Sequence, residues 1–260
     1  MNRYERLNAL LELLADRGRL DVEDVATELE VSAATVRRDF DHLAQQQLVT
    51  RTRGGAVAHS VAYDLPLRYK TQRHATEKQR IGRAAADLVG HGMVVGLNGG
   101  TTTTEVARAI ATHADLNTRQ DPSITVVTNA LNIANELTVR PHVKIVVTGG
   151  VARPQSYELI GPLGTRILED LSLDIAFLGV DGFDPDLGAT AFHEGEANIN
   201  NLIAHRARRV VVVADASKLG ERAFARICAV TDVDTLITDA AASSQIIARF
   251  RETAVEVIQA

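Results

Sequence analysis

From Asp21 to Val57 the spacing of apolar residues changes period. Val22, Val25, Ala26 and Leu29 recur at i, i+3, i+4 and i+7, the repeat of an amphipathic helix. Asp21 stands just ahead of that stripe, where a carboxylate can accept from the unpaired amides of a first helical turn. Only Glu30 and Val31 separate Leu29 from Ser32, a second capping residue. Behind Ser32, the residues Val36, Phe40 and Leu43 share one face of a second helix. Arg38 and Gln45 lie on its opposite face, flanked by Ala34, Asp41 and His42, with Thr35 and Arg37 on the shoulders. Residues 48–53 then alternate like a strand, Gly54-Gly55 turns, and Ala56-Val57 begins a return. The pattern predicts two helices joined by a tight turn, then a basic hairpin.

Small residues and arginines on the outer face of a second helix suit the DNA major groove, where a bulky apolar face could not read base edges. A hairpin bearing Arg51 and Arg53 suits a wing against phosphates. The candidate DNA-binding residues are Ser32, Ala34, Thr35, Arg37, Arg38, Arg51 and Arg53. A small helical bundle with solvated arginines is the plainer alternative; four arginines beside a glycine turn favour DNA. Upstream, Leu7, Leu10, Leu11 and Leu14 give a further helix its buried stripe, and Gly18 ends it. These elements make one winged-helix domain over residues 1–58. Residues 59–76 lose periodicity and contain Pro66, as a linker does. Its cations Arg68, Lys70 and Arg73 either touch DNA or, the plainer reading, stay solvated.

Beyond Glu77 the pattern changes again. A helix with Ile81, Ala85 and Leu88 on one face ends at Gly90-His91-Gly92. Short apolar runs follow at residues 93–97, 124–127, 143–147, 175–180, 210–214 and 235–237, alternating with helical segments. Continuously apolar runs suit strands covered on both faces, hence a mostly parallel sheet. The expected fold class is α/β: a winged helix-turn-helix domain followed by a larger, Rossmann-like domain over residues 77–260. Such sheets bind ligands at the carboxyl ends of their strands.

Those ends carry Asn98-Gly99-Gly100-Thr101-Thr102-Thr103-Thr104, Thr128-Asn129, Thr148-Gly149-Gly150, Asp181-Gly182 and Asp215-Ala216-Ser217-Lys218. Four successive threonines are poor helix formers, so propensity does not account for them. A glycine turn that opens a helix exposes amides to an anion. Taken singly, each segment is an ordinary strand-to-loop turn, and one threonine cap would suffice. Together they outline a pocket for an anionic small molecule, with backbone amides for a phosphate, Asp181 for hydroxyls and Lys218 for charge.

Composition narrows the class. The 260 residues are 45% hydrophobic and 23% charged, ordinary globular values with room for two domains. No apolar run approaches a membrane span, and the N-terminus reads as a charged amphipathic helix rather than a signal peptide. The one cysteine, Cys228, excludes an intramolecular disulfide framework and fits a reducing, cytoplasmic setting. No Cys/His cluster has zinc spacing, and no cofactor is implied. A net charge of −5 looks unfavourable for DNA, and the first 60 residues do not reverse it: eight arginines face ten acids. Five of those acids lie between Asp21 and Glu30, so the domain is polarised and its non-specific affinity is expected to be weak and salt-dependent.

The stretch VSAATVRRDFDHLAQQQLVTRTRGGAV resembles the helix-turn-helix and wing signature of the DeoR family of bacterial transcription regulators, V-S-x-x-T-[IV]-R-R-D-L followed by a basic wing ending in H-G-G-A. Phe40 stands where leucine is usual and Arg53 where histidine is common; one keeps the core apolar, the other adds positive charge. The later motifs are similar to the same family's sensor domain: Gly-Gly-Thr-Thr at 99–102, Thr128-Asn129, Gly149-Gly150, Gly161-Pro162, Asp181-Gly182, and Asp215 to Gly220. That resemblance implies a fold related to ribose-5-phosphate isomerase and a phosphorylated sugar as effector. It also implies effector contacts at Gly99, Gly100, Thr101, Thr102, Thr103, Thr128, Asn129, Gly149, Gly150, Asp181, Gly182 and Lys218. His193-Glu194-Gly195-Glu196 falls where members carry an acidic, ligand-discriminating loop, which adds His193, Glu194 and Glu196; a solvent-exposed loop before a helix at 197–207 is the alternative.

The resulting expectation is a repressor controlled by a sugar phosphate, acting on double-stranded operator DNA as a homodimer or higher even oligomer, without membrane contact. An activator would use the same residues. A sugar-phosphate isomerase with an appended winged helix is the rival, with Asp181, Glu194 or Glu196 as base and Lys218 as electrostatic partner. A third reading uses the winged helix for protein interaction alone.

Overall fold

The computed structural model describes residues 1–46, 48–58, 67, 73–116 and 123–260. The chain divides into two compact units, Met1–Lys70 and Thr71–Ala260. Most of the expected linker, with Pro66, Arg68 and Lys70, lies outside the described residues.

The first unit opens with α1 (Arg3–Arg17), started by a reciprocal capping box between Asn2 and Glu5 and stopped by Gly18 at φ 71°. A short strand that the sequence pattern did not reveal, β1 (Arg19–Asp21), follows. The helix α2 (Val22–Glu28) is capped by Asp21, whose carboxylate accepts from the Glu23 N–H. The helix α3 (Ala33–Gln45) is capped by Ser32, whose hydroxyl accepts from the Thr35 N–H. Between them Glu30 adopts φ 53°, which keeps the turn tight. The wing is the hairpin β2 (Val49–Arg51) and β3 (Gly55–Ala58), and β1 adds to it in the order β1-β3-β2. Gly55 sits in a strand rather than in the expected turn. A Cβ there would come within 1.9 Å of the Leu20 carbonyl oxygen, so close approach of β1 demands glycine. Leucines 7, 10, 11 and 14 of α1 pack with Val25, Val36, Phe40 and Leu43 into one core.

The second unit runs through α4 (Ala75–Ala86), β4 (Val94–Leu97), α5 (Thr101–Thr112), β5 (Ile124–Thr128), α6 (Leu131–Leu137) and β6 (Val143–Val147). A small hairpin, β7 (Val151–Ala152) and β8 (Leu159–Ile160), leads to α7 (Pro162–Glu169) and β9 (Ile175–Leu178). The strands β10 (Gly182–Asp184) and β11 (Gly188–Ala191) precede α8 (Glu194–His205) and β12 (Val210–Val213). The chain closes with β13 (Ala225–Cys228), β14 (Thr235–Thr238), α9 (Ser244–Arg251) and β15 (Glu256–Gln259). Seven strands pair in the order β15-β14-β12-β9-β4-β5-β6, and every pairing is parallel.

Alternate residues of these strands feed two cores. Phe177, Val211, Val213 and Ile237 pack with α4, α5 and α6 on one face, while Leu178, Val212 and Leu236 pack with α8 and α9 on the other. Burial on both faces is why the strands read as unbroken apolar runs. From the central β4 the chain steps outward through β5 and β6, then returns to β9 and proceeds the other way. The reversal falls between β4 and β9, and in sheets of this topology ligands bind outside the carboxyl ends of the strands at that point. Among the described residues no helix is long and apolar enough to cross a membrane.

Candidate functional site

Each unit carries a candidate site. In the first, burial of Val36, Phe40 and Leu43 turns Ser32, Ala34, Arg37, Arg38, Asp41 and Gln45 of α3 outward, with Thr35 half-buried beside them. Arg38 folds back along its own helix, Nε donating to the Ala34 carbonyl at 3.3 Å. Arg37 pairs with Glu23 at 2.9 Å, both side chains exposed, so water and salt can replace that partner readily. Arg51 is more tightly held. It donates to Asp41 Oδ1 at 2.8 Å and to the Gly55 carbonyl at 2.6 Å, and its guanidinium lies over the Phe40 ring, 5.7 Å from the centroid. Arg53 is exposed at the tip of the wing and has no hydrogen bond or ion pair among the described residues. Asp39 took no role in the sequence reading. It is buried, 2% exposed, and anchors α3 to α1 through Arg6.

In the second unit the strand reversal is spanned by Asn98, which the sequence reading placed at a strand end but gave no role. Its side chain bridges the topological reversal: Nδ2 donates to the Gly179 carbonyl at 2.9 Å, and the Gly179 N–H donates to Oδ1 at 2.8 Å. This fixes the loop after β9 against the loop after β4. Gly100, at φ 141°, opens α5, and no side chain caps the helix. The first-turn amides therefore stay available to an anion. The threonines divide the work. Thr103 and Thr104 donate their hydroxyls to the Gly100 carbonyl, at 3.2 and 2.6 Å, and hold the loop shape. Thr101 and Thr102 have no side-chain hydrogen bond among the described residues.

Thr128 and Asn129 end β5 fully buried. Thr128 Oγ1 accepts from the Ala130 N–H, and Asn129 Nδ2 donates to Glu158 Oε2 at 2.8 Å. Gly149 and Gly150 serve close packing: a Cβ on either would meet the backbone of α7 or β8 within 3 Å. Asp181 accepts from the Phe192 N–H at 3.0 Å, and Gly182 lies against the Glu221 carbonyl. Both readings made the stretch at His193 a loop ahead of a helix at 197–207, whereas the helix already starts at Glu194. His193 caps α8 by accepting from the Gly195 N–H, Glu194 is exposed, and Glu196 is buried and bound to Arg153 at 3.0 Å. Lys218 is half-buried on a 3₁₀ turn shaped by Asp215 and Asp239, with no hydrogen bond from its ammonium group among the described residues. Beneath that turn the buried Lys78 of α4 lies 3.9 Å from Asp215.

Glu158 and Arg153 were invisible in the sequence, since neither carries a motif. They enter through the β7–β8 hairpin, which is pinned beside β5 by the Leu159 N–H donating to the Asn129 carbonyl. Glu158 is 4% exposed. Burial pushes its carboxyl up to about 8, helped by the charges of Glu196 and Asp181 and opposed by Asn129 and Arg153. Around Gly99 the structure thus gathers Asn129, Asp181 and Glu196 from the expected residues and adds Glu158 and Arg153.

A winged helix with an exposed arginine face, joined to a doubly wound domain with glycine-rich loops at its switch point, defines a DNA-binding regulator with a sensor domain. The chain belongs to the DeoR family: residues 6–61 match the DeoR-like helix-turn-helix domain and residues 73–240 the DeoR C terminal sensor domain. The glycerol-3-phosphate regulon repressor of Escherichia coli (strain K12) is 32% identical over 240 residues, covering 92% of each chain. The HTH-type transcriptional regulator GlpR of Haloferax volcanii is 34% identical over 236 residues, covering 90% of this chain and 89% of that one. Among solved structures, ribose 5-phosphate isomerase A from Methanocaldococcus jannaschii is similar over 56% of this chain and 54% of that chain, with a TM-score of 0.41 and 19% identity. The protein is a transcriptional regulator, and the isomerase alternative has no support among these relatives.

Proposed function

We propose that this protein represses carbohydrate-related genes by binding a double-stranded operator, and that a phosphorylated sugar at the carboxyl ends of β4 and β9 controls that binding. In this reading residues 1–58 bind DNA, 59–76 link, and 77–260 sense the effector and oligomerise. Ser32, Ala34, Thr35, Arg37 and Arg38 of α3 face the major groove, with Arg38 on a base edge, and Arg51 and Arg53 lie against phosphates. The effector's phosphate takes the amides of the Gly99–Thr103 loop, with Lys218 as counter-charge and Asp181, Glu196 and Asn129 toward its hydroxyls. A two-fold operator calls for a homodimer or a higher even oligomer, and action on DNA places the protein in the cytoplasm.

The observation that carries the reading is the uncapped Gly100 start of α5 at the switch point, in a chain whose first unit exposes arginines on α3. The name of the Escherichia coli relative, a glycerol-3-phosphate regulon repressor, supports a phosphorylated polyol or sugar. Fluorescence anisotropy on the DNA upstream of the protein's own gene, at two salt concentrations and with a panel of sugar phosphates, tests it. Competitor-resistant binding shifted by one sugar phosphate is the expected result. Binding no tighter than to random DNA would overturn the repressor, and unchanged anisotropy with every sugar phosphate would overturn the effector.

A further inference from the structure

Glu158 occupies the space that a side chain at Gly99 would need: a Cβ there would lie 2.3 Å from Glu158 Cγ and 2.5 Å from Oε1. The carboxyl group therefore sits against the glycine loop itself. Its other oxygen, Oε2, holds Asn129 Nδ2, which leaves Asn129 Oδ1 buried without a hydrogen-bond partner. Glu196 and Asp181 add two more carboxylates close by. The cation among them, Arg153, is committed to Glu196, and both side chains are only 10% exposed. This wall is rich in acceptors and acid groups and offers little to a further anion. A buried amide oxygen lacking a donor is costly unless a ligand supplies one. A hydroxyl can donate to Asn129 Oδ1 or to a carboxylate; a second phosphate or a carboxylate of the ligand cannot.

We propose that Glu158 is the specificity-determining residue of this pocket: it selects an effector whose body beside a single phosphate is a neutral polyol, and rejects phosphorylated acids and bisphosphates. The inference rests on the sugar-phosphate reading above and names the chemistry which that site discriminates. Discrimination depends on like-charge repulsion in a desolvated site, where a carboxylate opposes a second anion far more than it would in water. It therefore strengthens as Glu158 ionises, around pH 8, with burial first, then Glu196 and Asp181, holding that ionisation back and Asn129 and Arg153 promoting it.

Matched pairs of ligands expose this without knowledge of the natural effector. Titration calorimetry on the full chain compares glycerol 3-phosphate with 3-phosphoglycerate, and glucose 6-phosphate with 6-phosphogluconate, from pH 6.5 to 9. Within a pair the phosphate ionises alike, so the ratio of affinities isolates the second charge. For the wild type, the preference for the polyol member is expected to rise by about tenfold over that range, a coupling of ordinary size between two sites. Glu158→Gln, isosteric and uncharged, should hold the ratio at its low-pH value throughout, and a melting temperature equal to the wild type's at pH 4.5, where both side chains are neutral in the folded state, shows that the variant folds. A wild-type ratio that does not change with pH overturns the proposal without need of a variant. A ratio that rises equally in Glu158→Gln overturns it as well, since another group then carries the effect. If none of the four ligands binds the wild type, the sugar-phosphate reading itself fails and this inference falls with it.

Discussion

Asp39 and Arg37 are two positions apart on one helix, yet their ionic partners differ in kind. Asp39 is buried against Arg6, whereas Arg37 and Glu23 meet in solvent. Breaking a buried pair leaves a charge without compensation and costs about 3–5 kcal/mol, while an exposed pair contributes about 0–1 kcal/mol. Asp39→Ala should therefore unfold the winged helix at markedly lower denaturant concentration, and Arg37→Ala should leave the midpoint nearly unchanged. Equal midpoints for the two variants in urea titrations followed by circular dichroism would refute the assignment. Glu158 makes a second residue-level prediction. Its carboxyl titrates near 4.5 in an unfolded chain and at about 8 in the folded one, so the folded state holds the proton more tightly. The stability this group contributes is complete below about pH 4.5 and is lost as pH rises to 8. The melting temperature of the sensor unit should fall across that window, and Glu158→Gln should flatten the fall. An equal slope in the variant would assign the pH dependence elsewhere.

At the level of elements, the wing separates two arginines that the sequence treats alike. Arg51 ties β2 to α3 and β3 through Asp41, Gly55 and Phe40, whereas Arg53 projects from the turn without a partner among the described residues. Arg53→Ala should weaken binding to all DNA sequences alike and lower the salt slope by about one, with no change in melting temperature. Arg51→Ala should lower the melting temperature of the winged helix as well as its affinity. Melting curves and salt titrations of both variants decide this, and a stability loss in Arg53→Ala would contradict it. The glycine loop shows a similar division within four residues. Hydroxyls of Thr103 and Thr104 are spent on the Gly100 carbonyl, so the sequence-level reading of a threonine-rich anion site narrows to the loop amides with Thr101 and Thr102.

For the whole molecule, control of DNA binding by an effector requires that the ligand interact differently with two states of the chain. The residues proposed to hold the phosphate lie in the second unit, and the proposed DNA contacts lie in the first. Thr101→Val and Lys218→Ala should then keep operator affinity within about twofold while abolishing the shift caused by the sugar phosphate, a loss of coupling without loss of binding. Anisotropy with and without ligand measures both quantities together. Loss of operator binding in either variant would instead give that residue a role in folding or assembly.

The sequence by itself determined whatever rests on neighbours along the chain. Asp21 and Ser32 cap the helices they precede, Val36, Phe40 and Leu43 define the buried face of α3, and six of the seven strands of the main sheet announce themselves as apolar runs. Such signals survive in a string of letters because helix and strand periods are local. The seventh strand, β15, escaped because its only apolar residues, Val257 and Ile258, stand between Glu256 and Gln259 and form no run. Tertiary structure alone decided the site's composition. Asn98 meets Gly179 across 81 positions, Glu158 meets Asn129 across 29, and Glu196 meets Arg153 across 43. No periodicity links such pairs; they are joined only because parallel strands bring their carboxyl ends to one edge, where burial pushes a glutamate that carries no motif up to about 8.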